Sequence, residues 1–119
     1  HKMHSEIFCV PNNTKKLIYF HKKNGGNIIA VGTTTARALE SFYSYKCFTD
    51  KIYETNIFIK PGYKFKIVDN LITNFHLPKS SLLIMVSAFY NREKILDAYN
   101  HAINNNYKFF SYGDSTLIL

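Results

Sequence analysis

Four short stretches carry side chains suited to chemistry. The first is His1-x-x-His4-x-Glu6. In an extended segment His4 and Glu6 share one face and His1 takes the other. A carboxylate beside an imidazole holds its tautomer and raises its basicity, which suits proton transfer or hydrogen bonding to a polar ligand. The plainer reading is a polar strand end facing water. A metal site would want further ligands, and none lies nearby in sequence.

The second stretch is Val31-Gly32-Thr33-Thr34-Thr35-Ala36-Arg37. It stands between an apolar strand and an amphipathic helix, where open α/β sheets bind ligands. Backbone N–H groups at a helix start attract anions, and glycine lets a ligand approach the chain closely. Arg37 offers a planar fork for an anionic group. The lysine of a phosphate-binding loop and the three glycines of a dinucleotide fingerprint are missing. In the plainer reading, one threonine simply caps the helix.

The third stretch is Asp69-Asn70-Leu71-Ile72-Thr73-Asn74-Phe75-His76-Leu77-Pro78. Thr73, Asn74 and His76 can recognise a base or sugar through directional hydrogen bonds. Phe75 suits either base stacking or the core. The fourth is Phe109-Phe110-Ser111-Tyr112-Gly113-Asp114, in which Asp114 can accept from a ribose hydroxyl or an amine. A tight turn closing a core strand is its alternative. Ser, His and Asp are not gathered in any nucleophile-elbow motif, so a hydrolase triad is unsupported.

The elements that must position these groups follow from apolar patterning. Strands are expected over residues 5–10, 28–31, 57–59, 65–68 and 109–112. Asn13 is expected to cap a helix through Leu17, Ile18 and Phe20 that stops at Asn24-Gly25-Gly26. Further helices follow Gly32, run from Leu82 through Phe89, and carry Ile95, Leu96, Ala98, Tyr99, Ala102 and Ile103 on one face. Residues 44–55 and 69–78 read as loops. Alternating strands and helices predict an α/β fold with a largely parallel sheet. No repeat or linker divides the chain.

The 119 residues hold 15 Lys and Arg against 8 Asp and Glu, a formal charge of +7. An acidic partner is one explanation. Thirteen of the fifteen are Lys in a chain also rich in Asn, Ile, Phe and Tyr, so compositional bias is the other. Cys9 and Cys47 form neither a disulfide framework nor a metal spacing, and a reducing, cytoplasmic setting is expected. The longest apolar run, residues 82–86, is too short to span a bilayer, and no secretory leader is expected.

Together the segments HKMHSE, AVGTTTARALE, FIKPGYKFKIVDNLITNFHLPKSSLLIMVSAF and FFSYGDSTLIL resemble the S-adenosylmethionine:tRNA ribosyltransferase-isomerases of queuosine biosynthesis. They stand in the family's order and run nearly end to end. The resemblance implies the C-terminal part of an α/β domain, residues 1–119 without internal boundary. Family members are roughly three times this long and insert a small β-barrel domain that this chain would lack.

The implied reaction uses S-adenosylmethionine as ribosyl donor, with no metal. Its acceptor is 7-aminomethyl-7-deazaguanine at the wobble position of the tRNA anticodon arm, its product epoxyqueuosine, and the full enzyme is expected to be monomeric. His4, Glu6 and His76 are then the expected proton-transfer groups. His1, Gly32, Thr33, Thr34, Arg37, Asn74, Tyr112 and Asp114 are the expected contacts to cofactor or nucleoside, with Arg37 on the methionine carboxylate. Ser115-Thr116, Lys60 and Ala36 depart from the family's usual Ala-Met, Tyr and Val. A non-catalytic tRNA-binding fragment or remnant is the alternative.

Overall fold

An apolar strand at the border of the main sheet lies beside a polar-ended strand in its middle. The computed structural model describes residues 4–76, 80–110 and 113–119. Within them the order is β1 (Glu6–Phe8), α1 (Asn12–Lys23), β2 (Ile29–Val31), α2 (Thr33–Ser44), β3 (Tyr53–Thr55), β4 (Asn70–Asn74), α3 (Ser81–Ala88), α4 (Arg92–Asn104) and β5 (Ser115–Ile118). One sheet has the order β2-β4-β5, and β1 pairs separately with β3.

The fold is mixed α/β, as the alternation implies. The sheet is less parallel than expected. β2 and β4 run parallel with Val31 opposite Ile72, whereas β4 and β5 run antiparallel with Asn74 opposite Ser115. β1 and β3 are also antiparallel, with Glu6 opposite Thr55. β2 borders its sheet and leaves Ile29 and Val31 exposed. Ala30 and Leu71 point into a single core with Ala36 and Phe42 of α2, Met85 and Val86 of α3, and Ile95 and Tyr99 of α4.

Local chemistry sets the helix ends. Ser80 accepts from Leu83 N–H at 3.1 Å, and Asn91 from Lys94 N–H at 2.8 Å, so each caps the helix that follows. Asn106 ends the last helix region with φ of 58°, as asparagine allows. Asn13 lies inside α1, not at its cap, because the helix begins at Asn12 behind Pro11 and the Asp50 carboxylate takes Asn12 N–H. Gly32 precedes α2 at φ +99°, which places the three threonines in the first turn and leaves none of them as cap. An added side chain there would strain the backbone.

Three expected strands are replaced by other structure. Residues 57–59 bury Ile57 and Ile59 but join no ladder; the strand lies earlier, at β3. Residues 65–68 are also outside any strand, because Glu40 captures the N–H groups of Lys66, Ile67 and Val68. Of the strand expected over 109–112, Phe109 and Phe110 are in no strand, and residues 111–112 lie outside the described residues. Phe110 is left-handed at φ 58° and donates its N–H to Phe75 O at 2.9 Å, while β5 pairs with β4 further on. Conversely, β4 lies within the expected loop 69–78. Its polar ends hide a two-residue alternation that buries Leu71 and Thr73.

Candidate functional site at the carboxyl edge of the sheet

Parallel pairing puts the carboxyl ends of β2 and β4 at one edge, and antiparallel pairing brings the amino end of β5 to the same edge. Gly32, Asn74 and the Gly113-Asp114 turn therefore meet there, although they are far apart in sequence. Gly32 N–H donates to Ile72 O at 2.8 Å and fixes the start of α2 against β4. The first-turn amides of α2 have no carbonyl one turn behind them, and no acidic residue occupies that turn. The helix thus presents a partial positive end toward the edge. Thr33 is buried there and Thr34 exposed.

Just beyond β4, His76 is half-buried. Its Nε2 lies 2.8 Å from Thr73 Oγ1, and its backbone N–H donates to Tyr99 Oη at 2.9 Å. Thr73 is held in turn by Thr116, whose hydroxyl donates to Thr73 O at 3.1 Å. Burial pushes the His76 imidazole below its ordinary value, so the ring is neutral at neutral pH. With Nε2 engaged, Nδ1 is the nitrogen left to exchange a proton with a ligand. Phe75 is core and no stacking platform: it is buried against the rings of Tyr99, Tyr107 and Phe109.

Asn74 and Asp114 are joined directly. Asn74 Nδ2 donates to Asp114 O at 3.4 Å, and the Asp114 carboxylate accepts from Lys108 N–H. Asn74 is exposed, so its amide oxygen remains available.

The β1–β3 ribbon reaches this assembly through Arg37. That side chain is 2% exposed. Its Nη1 pairs with Glu6 Oε2 at 3.1 Å, and its Nη2 donates to His4 O at 2.9 Å and Ile57 O at 3.3 Å. Nε is buried without a partner among the described residues. Both terminal nitrogens are thus committed to protein, and the open clamp expected of Arg37 is an anchor for Glu6 in this structure. Glu6 keeps a half-exposed carboxylate, and the His4 residue is exposed. His1 and Tyr112 lie outside the described residues.

A cavity of about 370 Å³ adjoins this assembly: Tyr99 and Thr116, which hold His76 and Thr73, line it together with Val86, Lys94, Ile95 and Leu117. Among the described residues no group of three or more His, Cys, Asp or Glu is placed to hold a metal ion.

Residues 1–118 match the family described as queuosine biosynthesis protein. The chain belongs to that family. It is 56% identical over 118 residues to an S-adenosylmethionine:tRNA ribosyltransferase-isomerase of Polynucleobacter asymbioticus, covering 99% of this chain and 33% of that protein. A protein of the same name from Vesicomyosocius okutanii is 57% identical, with 99% of this chain and 35% of that protein covered. The fold also superposes on the crystal structure of S-adenosylmethionine tRNA ribosyltransferase from Thermotoga maritima. There the TM-score is 0.84 at 42% identity, covering 95% of this chain and 40% of that one. The chain spans about a third of the length of the curated relatives it matches.

Two groups escaped the reading by motif. Glu40 is fully buried and accepts four hydrogen bonds, from Tyr63 Oη at 2.8 Å and from the N–H groups of Lys66, Ile67 and Val68 at 2.9, 2.8 and 2.9 Å. Tyr99 holds the backbone of His76. Glu40 left a signal in sequence: Arg37 and Glu40 stand among Ala36, Leu39 and Phe42, so both charges fall on the buried face of the helix. Tyr99 left none beyond its place on an apolar face.

Proposed function

We propose that this chain is the C-terminal portion of the α/β domain of an S-adenosylmethionine-dependent tRNA ribosyltransferase-isomerase acting in the cytoplasm. The reaction transfers the ribosyl unit of S-adenosylmethionine to 7-aminomethyl-7-deazaguanine at the tRNA wobble position. Rearrangement of that unit gives epoxyqueuosine, with adenine and methionine released. The family match along residues 1–118 carries this reading. The convergence of three remote segments on one sheet edge, with the first segment tied to α2 through Arg37, supports it.

The chemistry needs a base beside the sulfonium, a deprotonated amine and help for the departing adenine. His4 with Glu6 supplies proton transfer, with Arg37 keeping Glu6 in place. His76 is the second proton-transfer group, kept neutral by burial. Gly32, Thr33 and Thr34 approach the anionic or sugar part of the donor, while Asn74, Tyr112 and Asp114 position nucleoside hydroxyls or the base. His1 completes the polar end of the first segment. The partner is the anticodon arm of tRNA, and the full enzyme acts as a monomer.

Adenine and methionine release from S-adenosylmethionine, dependent on tRNA bearing the aminomethyl base, is the decisive assay. His4→Ala and Glu6→Ala each lower turnover by about 100-fold or more. Unchanged turnover in both removes the proton-transfer assignment. Tight tRNA binding without product in the unsubstituted protein favours a non-catalytic RNA-binding fragment.

A further inference from the structure

We propose that the turn at residues 60–66, at the opposite edge of the sheet, is a docking surface for the phosphate backbone of RNA. This deepens the tRNA reading above and rests on it. The segment reads Lys60-Pro61-Gly62-Tyr63-Lys64-Phe65-Lys66, three cations in seven residues with no acidic side chain. All three lysines are exposed. Among the described residues none of them is ion-paired.

The turn is rigid for reasons already visible. Tyr63 N–H closes it on Lys60 O at 2.9 Å, and Gly62 takes the φ of +98° that the reversal needs. Its far end is tied to the buried Glu40 carboxylate through Tyr63 Oη and Lys66 N–H. Phe65 packs on Phe89 with ring centroids 3.9 Å apart. The aromatics therefore fix the turn and do not offer faces to bases, which makes the surface one for charge and not for sequence.

The neighbouring carboxylates leave the lysine charge uncompensated. Glu40 is fully buried and saturated by its four donors. Asp69 pairs with Lys22 at 3.2 Å. Lys66 Nζ lies over the Tyr63 ring at 5.3 Å, a contact that orders the side chain and leaves its charge. A preorganised cationic turn without carboxylate partners suits a polyanion, where each phosphate contact releases counterions. β4 separates this edge from the candidate site by about 17 Å, at 3.3 Å per residue over its length. One RNA can span that distance, with its reacting nucleotide at the carboxyl edge and its backbone on the turn.

The test is tRNA affinity measured across a salt series for the 119-residue chain and for K60Q/K64Q/K66Q. Three lost phosphate contacts should reduce the slope of log affinity against log salt by about 2 to 3. Affinity at moderate salt should fall at least tenfold. Lys→Arg at the same three positions should retain the slope. K16Q/K94Q, on α1 and α4, should leave it unchanged. Thermal melts confirm that all variants fold. Steep salt dependence in the unsubstituted chain together with an unaltered slope in the glutamine variant overturns the docking surface and leaves the tRNA reading standing. Absence of tRNA binding by the unsubstituted chain overturns both.

Discussion

Helix α2 buries two opposite charges three residues apart, and they are treated differently. Glu40 is saturated: four donors converge on its two oxygens. Arg37 has one carboxylate and two carbonyls for its terminal nitrogens and, among the described residues, nothing for Nε. Glu40 faces the amino edge of the sheet, where it replaces a strand's ladder for residues 66–68. Arg37 faces the carboxyl edge, where it holds a partly exposed acid. A saturated buried charge fixes a scaffold, because every conformational alternative strands a donor. An incompletely satisfied one keeps capacity for another group, at a standing cost to stability.

The largest effect should come from Glu40. Glu40→Ala leaves buried donors without an acceptor and should cost about 3–5 kcal/mol, read from urea or thermal denaturation. A loss below about 1 kcal/mol would mean that the nest contributes little. Arg37→Met should cost less, about 2 kcal/mol, because the freed Glu6 carboxylate can hydrate. It should also lower turnover in the ribosyl-transfer assay, with Arg37→Lys restoring stability better than activity, since lysine lacks the planar fork. Equal recovery of both would remove the distinction between the two ends of the helix.

Tyr63→Phe takes away one of Glu40's four donors and should cost about 1 kcal/mol. Burial, with the Glu40 carboxylate adding to it, pushes the Tyr63 phenol up to about 12. The fold therefore favours neutral Tyr63. That contribution is complete below the ordinary tyrosine value near 10 and is lost as pH rises through about 12. Burial also raises Tyr19 and Tyr99, so ultraviolet titration should show several late-ionising tyrosines and one fewer in the Phe variant.

The smallest effect belongs to His76. Its folded value is depressed by burial, so the unfolded chain binds the proton more readily. Its contribution is present above about 6.5 and declines as pH falls below that, toward the depressed folded value. His76→Gln should flatten this part of the stability profile, measured by melting temperature between pH 7 and 5.

Sequence showed the groups more readily than the ladders that gather them. Gly32, Asn74, His76 and Asp114 stand in motifs whose residue types announce chemistry, and the structure brings their segments to one edge. β4 was obscured because Asn70 and Asn74 flank only two inward residues. Residues 65–68 have strand composition, yet their N–H groups go to a side chain, a choice that apolar periodicity cannot register. The antiparallel addition of β5 also escaped, since its apolar residues Leu117 and Ile118 are adjacent and give no two-residue alternation. Glu40 governs the local structure but carries no motif, and its burial is visible only from its place on the helix face.

Strand β2 has a further consequence. It borders its sheet with one row of N–H and C=O groups unpaired by any described strand, and it presents Ile29 and Val31 outward. A half-finished ladder with branched side chains recruits whatever extended backbone is available. Completion by a segment of the same polypeptide has an effective concentration fixed by tethering, and dilution leaves it intact. Completion by another copy follows mass action, so the same border that needs a strand becomes a meter of protein concentration.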